Sequence, residues 1–283
     1  MRNTTMPLLS IIIPAFNSAQ SIGRSLESIA AQTFTDYEVI VQDGSSNGDT
    51  ETAVEKFLEG RSGFPLLLYR ERDRGVYDAM NKAMLKASGE WLYFLGSDDE
   101  LFNNQILATV LSAQNTVDCD VIYGNAEIIG DSIWAKSGTI YDGPFDLPML
   151  LSKNICHQAI FYKSDFARKV GEYNTDYVVC GDWDFNMRCW AQTKFKYINV
   201  TVAKFIAGGL SSTEPQDAQF YRDFGANVLR YFRLSPLSCL VNAPGFNGLS
   251  GVIVIQQSRG GIYLLCGRAM RRFLKLRARL SGK

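Results

Sequence analysis

The feature that most constrains this fold is the regular alternation of apolar runs and amphipathic segments over the first 100 residues. Four apolar runs are predicted as strands: residues 8–13, 37–41, 66–69 and 91–95. Three segments with helical spacing separate them: residues 18–30, with Ser18 as the predicted N-cap, residues 50–58 and residues 77–87. Nearly continuous apolar strands suit a sheet that is covered on both faces. The β-α-β-α-β-α-β order therefore predicts an α/β domain with a parallel sheet flanked by helices.

After residue 100 the alternation weakens, and we expect this half to complete the same domain and to cover its ligand cleft. Helices are predicted near residues 104–114 and 182–191, and strands near residues 121–125 and 197–206. A chain of 283 residues, 46% of them hydrophobic, can bury one large core and still carry an appendage. The first residues lack an apolar signal segment and the six cysteines form no C-x-x-C pair. We therefore expect a cytoplasmic protein whose thiols are core residues.

The net charge of zero conceals two parts of different charge. Residues 224–283 contain ten basic and no acidic residues, which leaves 19 basic and 29 acidic residues in residues 1–223. From residue 262 apolar side chains recur every three or four positions, with arginine and lysine on the other face. This pattern predicts a basic amphipathic helix on an anionic membrane surface, with a docked helix as the alternative. Nucleic acid is disfavoured as a partner, because no binding module accompanies the charge.

Polar side chains gather where the predicted parallel strands end. Asn17 follows the first strand, Asp43 ends the second, and Asp98 and Asp99 follow the fourth. Open parallel sheets bind ligands beyond the carboxyl ends of their strands. Adjacent carboxylates repel each other unless a cation compensates them, so Asp98 and Asp99 predict a hard divalent metal shared with substrate phosphates. The alternatives are a solvated turn that caps a helix for this pair and an Asx turn for Asp43, which could otherwise bind a base or ribose.

Residues 72–82 form a candidate anion site. Arg72 and Arg74 precede Gly75 and the start of the third predicted helix. Backbone N–H groups, the helix dipole and the two guanidinium groups together favour a bound phosphate. A charged loop in front of a helix is the alternative interpretation.

Four sequence blocks resemble those of family 2 glycosyltransferases. They are residues 10–17 (SIIIPAFN), 39–46 (VIVQDGSS), 75–83 (GVYDAMNKA) and 97–99 (SDD). The third block is similar to that of the bacterial members that build O-antigen, capsule or colanic-acid-type polysaccharides. The resemblance implies a GT-A (Rossmann-like) fold over residues 1–223, a nucleotide-sugar donor with UDP as its nucleotide, and Mn²⁺ or Mg²⁺. Residues 224–283 would then be the basic, membrane-associating helical region.

By this resemblance the donor-binding residues are Pro14, Ala15, Asn17, Asp43, Arg72, Arg74, Asp78, Asn81, Lys82 and Asp98. The metal ligands are Asp99 and Asp98, and the resemblance leaves open which of the two binds the ion. One departure concerns residue 96: the motif of the family begins with an acid or Asn, whereas this chain has Gly96.

A further block, residues 180–188 (CGDWDFNMR), resembles the Glu-Asp block of the family, with Gly181 in place of the Glu. The catalytic base of the family maps onto Asp182, with Asp184 as the alternative. An inverting transfer needs such a carboxylate to take the proton of the acceptor hydroxyl, although Asp182 could also merely cap a helix. By resemblance the acceptor side is formed by His157, Gln158, Trp183 and Arg188. For the lone His157 a purely structural role is the alternative.

The combined interpretation is an inverting, metal-dependent hexosyltransferase that moves a sugar from a UDP-sugar to a polyprenyl-diphosphate-linked saccharide. It would work in bacterial surface polysaccharide synthesis, in the cytoplasm, as a peripheral protein on the inner face of the cell membrane, with an oligomer left open. A sugar-phosphate nucleotidyltransferase is one alternative, but residues 14–18 lack a Gly-rich triphosphate loop with Lys. A non-catalytic, membrane-docked nucleotide-sugar sensor is the other. The donor sugar, acceptor and linkage depend on the cleft formed by residues 134–157.

Overall fold

The computed structural model describes residues 6–113, 119–131, 135–209 and 217–233. Nine strands form one sheet: β1 Leu9–Ala15, β2 Tyr37–Asp43, β3 Leu66–Arg70, β4 Trp91–Phe94, β5 Glu100–Leu101, β6 Val121–Ile129, β7 Ile140–Tyr141, β8 Ile160–Lys163 and β9 Phe195–Ile206. The α-helices in these ranges are α1 Ile22–Ala30, α2 Asp49–Leu58, α3 Val76–Lys86, α4 Ile106–Ala113, α5 Leu147–Leu150, α6 Ser164–Val170, α7 Gly181–Trp190 and α8 Ala218–Tyr231. A short 3₁₀ turn, His157–Ala159, precedes β8.

The strand order is β3-β2-β1-β4-β8-β6-β9-β5, with β7 paired to β6. The first four strands are mutually parallel, and β8 then runs antiparallel to both β4 and β6. The predicted α/β fold with a parallel sheet is thus confirmed, and the sheet becomes mixed only beyond β4. Because the chain leaves β1 toward β2 on one side and reaches β4 on the other, a crevice opens at the carboxyl ends of β1 and β4.

The central strands of the sheet, such as β1 and β4, are buried on both faces, as their apolar runs predicted, whereas β3 at the edge is half-exposed. On one face Ile11 and Ile13 of β1 pack in a cluster with Leu26 of α1 and Val54 of α2. On the other face Ile12 of β1 lies in a second cluster that includes side chains of α3, α7 and α8. Each fully buried side chain of this size stabilises the fold by about 2 kcal/mol. The packing of β1 between two helical layers therefore holds its carboxyl end rigidly.

The predicted N-cap at Ser18 is wrong, because α1 begins at Ile22 and its N-cap is Ser21. The Ser18 hydroxyl instead lies 2.7 Å from that of Ser97, and its backbone N–H donates to Thr50 Oγ1 at 3.0 Å. Ser18 thus links the loop after β1 to the loop after β4, on which the acidic pair lies.

The predicted domain boundary at residue 223 falls inside α8. This helix runs without interruption from Ala218 to Tyr231, and Phe224 and Val228 are buried in the same cluster as Phe185 of α7. The folded domain therefore extends through α8, because these apolar side chains need the core as their partner. The predicted amphipathic helix from residue 262 lies outside the described residues. Among the residues that are described, we find no helix with the length and apolar character required to cross a bilayer.

Candidate active site

Two neighbouring cavities lie beyond the carboxyl ends of β1 and β4. The first, of about 700 Å³, extends over the loops after these two strands. The second, of about 850 Å³, lies between β7, α5, the start of α7 and α8. Five residues line both: His157, Gln158, Val179, Asp182 and Phe205. A molecule in one cavity can therefore meet a molecule in the other at Asp182.

The first cavity is lined by several of the residues that the resemblance assigns to the donor. Pro14, Ala15 and Asn17 lie on its wall, and Asp98 and Asp99 lie across from them on the loop after β4. Asn17 has a positive φ of 52°, and its backbone N–H donates to Ser45 Oγ at 2.7 Å. Asn tolerates this left-handed conformation better than most residues, which explains why Asn follows β1 at the sharp turn.

The acidic pair after β4 is held in a fixed arrangement. Asp99 is only 1% exposed, and its Oδ1 accepts a hydrogen bond from the backbone N–H of Ile206 at 2.8 Å. Its Oδ2 accepts one from the side-chain amide of Gln158, also at 2.8 Å. Burial and the charge of Asp98 raise the pKa of Asp99 to about 8, and burial also raises the pKa of Asp98. The positive charge of Arg24 favours the ionised form of Asp98 but does not offset burial, so the charge of the pair is only partly compensated.

The glycine at residue 96, a departure from the family pattern, has a steric reason. A Cβ at this position would collide with Asp99 Oδ2 and would stand 3.0 Å from Asp98 Oδ1. The two carboxylates occupy the space that a side chain at residue 96 would fill. The motif therefore retains two acidic residues that face the first cavity, rather than three.

This pair fits a divalent metal. Within the described ranges no third His, Cys, Asp or Glu side chain joins Asp98 and Asp99 to form a closed metal cage. Mg²⁺ and Mn²⁺ at phosphate-transfer sites need only one or two carboxylates, because substrate phosphates and water complete the coordination. The buried carboxylate of Asp99 and the half-buried carboxylate of Asp98, both with raised pKa values beside an open cavity, match this requirement.

A second acidic pair lies at the end of β2. Asp43 is fully buried, and its Oδ1 accepts hydrogen bonds from the backbone N–H and the hydroxyl of Ser45 at 3.0 and 2.5 Å. Among the described residues its Oδ2 has no hydrogen-bond partner. The carboxylate of Asp73 covers Gly44, where a Cβ would collide with it, and Asp73 lines the first cavity. Burial raises the pKa of Asp73.

Sequence reasoning missed Asp73, because nothing in the pattern separates it from the charged residues on either side of it. Only the close approach to Gly44 shows that its carboxylate faces inward. Gly75, Val76 and Tyr77, which follow it, also line the first cavity.

The other candidate donor residues of this loop and helix line neither cavity. The side chains of Arg72 and Arg74 are exposed, and the Arg74 backbone N–H donates to Asp78 at 3.1 Å. Lys82 lies 3.5 Å from Asp78 and donates to the Arg72 carbonyl at 2.5 Å. The buried Asn81 bonds to both backbone groups of Tyr173. The structure thus gives Arg72, Arg74, Asp78, Asn81 and Lys82 positions that stabilise α3 and its preceding loop.

Asp182 occupies the first turn of α7 at the junction of the two cavities. Its Oδ1 accepts a hydrogen bond from the Tyr77 hydroxyl at 3.0 Å, and its Oδ2 accepts one from the Asn154 amide at 2.8 Å. Burial raises the pKa of Asp182 to about 6. A carboxylate whose pKa lies just below neutrality is well suited to act as a general base at physiological pH.

Asp184, the alternative base, points away from both cavities. Residues two positions apart in an α-helix are separated by about 200° around its axis, so Asp184 lies on the opposite side of α7 from Asp182. It is 1% exposed, and it accepts hydrogen bonds from Arg188 Nε at 3.0 Å and from the Tyr231 hydroxyl at 2.7 Å. Asp184 therefore joins α7 to α8, and the geometry favours Asp182 as the base.

The predicted acceptor-side residues separate into two groups. Trp183 lines the second cavity, with its ring N–H bonded to the Leu150 carbonyl at 2.6 Å, and Gln158 lines both cavities. Arg188 does not reach either cavity, because its guanidinium is bound to Asp184 and to the carbonyls of Val170 and Glu172. The structure therefore does not bring Arg188 to the acceptor side.

His157 lies at the junction among aromatic rings. Its ring centroid is 5.2 Å from that of Phe94 and 5.9 Å from that of Tyr173. Burial lowers the pKa of His157 to about 3, and neither ring nitrogen has a hydrogen-bond partner among the described residues. The imidazole is therefore neutral near physiological pH, which disfavours an electrostatic role.

Comparison with known proteins gives concordant results. A family model described as "Glycosyl transferase family 2" matches residues 10–171. A PGL/p-HBAD biosynthesis glycosyltransferase of Mycobacterium tuberculosis is 41% identical over 212 residues, which are 73% of this chain and 80% of that protein. A GalNAc(5)-diNAcBac-PP-undecaprenol beta-1,3-glucosyltransferase of Campylobacter jejuni is 31% identical over 135 residues, 48% of this chain and 41% of that protein.

Two solved structures share the fold. S. aureus TarS 1–349 in complex with UDP superposes with a TM-score of 0.59 at 18% identity. The match covers 93% of this chain and 87% of the TarS chain. The second structure is the mannosyltransferase PcManGT of Pyrobaculum calidifontis in complex with GDP-Man and Mn²⁺. It gives a TM-score of 0.57 at 16% identity, and the match covers 99% of this chain and 82% of the PcManGT chain. At this level of identity the likeness concerns the fold.

Proposed function

Because the chain belongs to glycosyltransferase family 2 and is a glycosyltransferase with the GT-A fold, we propose that the first cavity binds a nucleotide-sugar and the second an acceptor. The observation that carries this proposal is the position of Asp182, whose carboxylate lies at the junction of both cavities. From there a base can reach an acceptor hydroxyl that points toward the sugar of the donor. The reaction would be an inverting hexosyl transfer.

The proposed chemistry is a single displacement at the anomeric carbon. Asp182 takes the proton of the acceptor hydroxyl as its oxygen bonds to the anomeric carbon, and the bond to the donor diphosphate breaks with its electron pair on the leaving group. Attack opposite the leaving group inverts the configuration. A Mn²⁺ or Mg²⁺ held by Asp99 and Asp98 would supply positive charge for the leaving diphosphate.

For the donor we propose a UDP-sugar in the first cavity, whose wall includes Pro14, Ala15, Asn17 and Asp73. Asp43 is not part of this wall but lies fully buried at the end of β2, and we propose that the nucleoside binds at this end. The carboxylates of Asp43 and Asp73 both lie at the carboxyl end of β2, which supports this proposal. Nucleotide-binding sheets hold the nucleoside beyond the carboxyl ends of their strands. TarS, which shares the fold, has been solved with UDP. PcManGT has been solved with GDP-Man, so the experiment below includes both nucleotides.

For the acceptor we propose a lipid-linked saccharide, following the polyprenol substrate in the name of the Campylobacter relative. Aromatic and apolar residues dominate the described wall of the second cavity, including Trp183, Tyr221 and Phe224. Its Lys153 is already paired with Asp142. An uncharged sugar suits this wall, so the diphosphate of such an acceptor would lie outside the cavity.

We further propose that residues beyond α8 hold the enzyme on the inner face of the cell membrane in surface polysaccharide synthesis.

Family membership argues against the nucleotidyltransferase alternative, and a calorimetric experiment distinguishes the enzyme from a sensor. Titrations would use UDP, UDP-glucose, UDP-GlcNAc and GDP-mannose, each with Mn²⁺ and with EDTA. We expect metal-dependent binding that is lost in Asp98→Ala. Asp182→Asn should retain this binding while its turnover falls by about 10²- to 10⁴-fold. The exposed Asp165→Asn serves as the matched control. Absence of nucleotide binding would contradict the proposed donor site, and full turnover in Asp182→Asn would contradict the proposed base.

A further inference from the structure

Both carboxylate oxygens of Asp182 are bound by side chains from distant parts of the chain. Tyr77, from α3, donates its hydroxyl to Oδ1 at 3.0 Å, and Asn154, from the loop before β8, donates its amide to Oδ2 at 2.8 Å. The same Tyr77 hydroxyl also donates to the carbonyl of Val179 at 2.6 Å, so its one proton is shared between the two acceptors. A half-buried carboxylate bound from two directions keeps one orientation, with its remaining lone pairs directed to the junction of the cavities.

The orientation of Asn154 is determined by a chain of hydrogen bonds behind it. Tyr162, fully buried, donates its hydroxyl to Asn186 Oδ1 at 2.6 Å. Because the oxygen of Asn186 is thereby an acceptor, its NH₂ group donates to Asn154 Oδ1 at 2.8 Å. The oxygen of Asn154 is then occupied, so its own NH₂ group faces Asp182. The polarity of each amide follows from the preceding one.

The position of Tyr77 depends on the residue that precedes Asp182. A Cβ at Gly181 would stand 2.7 Å from two carbons of the Tyr77 ring. On its other side the ring stacks on Tyr173, with centroids 5.9 Å apart and an interplanar angle of 16°. The space next to the backbone of Gly181 is therefore filled by an aromatic ring whose hydroxyl reaches the candidate base. This explains why glycine replaces the Glu of the family block here.

We propose that Tyr77 and Asn154 are positioning residues that hold Asp182 as a correctly oriented, deprotonated base. This inference rests on the proposed function of Asp182. Neither residue needs to touch the substrate, because each acts through the carboxylate. Hydrogen bonds to a carboxylate favour its charged form, whereas burial favours the protonated form. The two donors thus oppose the effect of burial.

Among the described residues, the other ionisable groups whose charge is coupled to that of Asp182 do not titrate near neutrality. The ionisable side chains whose charge acts on Asp182 or is affected by it belong to Tyr77, Tyr141, Cys156, Tyr162, Tyr173 and Cys180. Burial raises the pKa of each of these groups, so they stay neutral, and the lowered pKa of His157 keeps that ring neutral too. Asp98 and Asp99, whose pKa values are also raised, line the same cavity as Asp182. Saturating Mn²⁺ and donor would keep these two carboxylates ionised, so an acid limb of kcat that shifts in the variants below would report on Asp182.

The test compares the pH dependence of kcat in Tyr77→Phe and Asn154→Ala with that of the wild type. Each loss of a hydrogen bond should move the acid limb upward by about one pH unit and lower kcat at pH 6 about fivefold, with the donor KM unchanged. Tyr37→Phe is the matched control, since it removes the hydroxyl of a buried tyrosine that donates to the Ile29 carbonyl and belongs to the other core cluster. Tyr77→Phe retains the buried ring, and thermal unfolding verifies the fold of each variant.

The possible results separate this inference from the function on which it rests. An acid limb that is present in the wild type and shifts in both variants, but not in Tyr37→Phe, supports the positioning role. An acid limb that stays in place while kcat falls would show that Tyr77 and Asn154 are structural only. Undiminished turnover in Asp182→Asn would instead overturn the assignment of the base, and the positioning role with it.

Discussion

Gln158 donates its side-chain amide to Asp99 Oδ2 at 2.8 Å, across 59 residues of sequence. This hydrogen bond joins a residue that lines both cavities to the acidic pair of the first. The Oε1 atom of the same amide accepts from Cys156 Sγ at 3.3 Å, which orients the amide so that its NH₂ group faces Asp99. Gln158 therefore orients a proposed metal ligand, whichever molecule fills the second cavity.

We expect Gln158→Ala to weaken metal-dependent nucleotide binding. Loss of the amide leaves the buried carboxylate of Asp99 without one of its two donors, and outer partners of metal ligands typically contribute about 10- to 100-fold in affinity. Calorimetric titration of UDP in the presence of Mn²⁺ measures the effect. Gln192→Ala, in which an amide bound to a backbone carbonyl at the end of α7 is removed, is the control. Equal affinities in the two variants would show that Gln158 does not support the metal site.

Gly181→Ala should impair turnover by displacing Tyr77. The added methyl group would stand 2.7 Å from the ring, so the ring must move and carry its hydroxyl away from Asp182. Misplacement of a catalytic group by about 1 Å can lower kcat by about 100-fold. Steady-state kinetics measure this loss. Gly23→Ala in α1 is the matched control, because a Cβ there meets no atom within 4 Å.

A double-mutant cycle tests whether the loss acts through Tyr77. In a Tyr77→Ala background the ring is absent, so adding Gly181→Ala should cause little further loss of kcat. Losses that add in full would contradict the steric explanation.

Asp184→Asn should lower stability and leave the chemistry intact. Asp184 is buried against Arg188 and Tyr231, and removing one partner of a buried ion pair typically costs about 3 to 5 kcal/mol. Urea denaturation should show this loss in the free energy of unfolding, and kcat per folded molecule should stay near the wild-type value. The informative comparison is Asp182→Asn, for which we expect the reverse. Loss of kcat in a fully folded Asp184→Asn would restore Asp184 as the candidate base.

The elements of the first 100 residues could be predicted to within a few residues because local signals mark their ends. The apolar run of β1 reaches Pro14, and β2 ends at Asp43 before Gly44, so the pattern itself contains the boundary. The start of α1 was misplaced, because the hydroxyl of Ser18 bonds to Ser97 rather than to the helix. Such a contact depends on a residue far along the chain, which no local pattern contains.

For the site, the sequence identified the positions but not the direction of each side chain. On α3 the block that resembles the family contains both Tyr77, which faces the first cavity, and Asp78, which pairs with Lys82 outside it. The same limit applies to Asp182 and Asp184 on α7. Which side of a helix faces the cleft depends on the packing of that helix, and periodicity alone does not distinguish a core-facing polar residue from a cleft-facing one.

The pairs that connect distant segments were also beyond the reach of the sequence. Asp73 covers Gly44, and Asn154 bonds to Asp182, only because the sheet brings their loops together at the carboxyl ends of its strands. These contacts support the site without any motif of their own.

His157 should make the stability of the fold depend on pH in a way that one variant can isolate. Its pKa is lowered by burial from 6.5 to about 3, so between these values the unfolded chain binds more protons than the folded one. By linkage, the neutral His157 makes its full contribution to the free energy of unfolding above about pH 6.5. This contribution is lost progressively as the pH falls toward 3. At pH 5 the loss is at most about 2 kcal/mol.

His157→Phe is the variant that tests this expectation, because phenylalanine suits the cluster of Phe94, Tyr162 and Tyr173 and does not titrate. Buried acids with a raised pKa, such as Asp182, change the free energy of unfolding with pH in the opposite direction. The quantity to compare is therefore the difference in unfolding free energy between the variant and the wild type, in which the contributions of these acids cancel. The unfolding free energy of the variant minus that of the wild type, both measured in urea, should rise by up to about 2 kcal/mol when the pH is lowered from 7.5 to 5. Since the chain has one histidine, no other imidazole can produce such a shift. A difference that is constant with pH would mean that His157 becomes protonated in the folded state as readily as in the unfolded one.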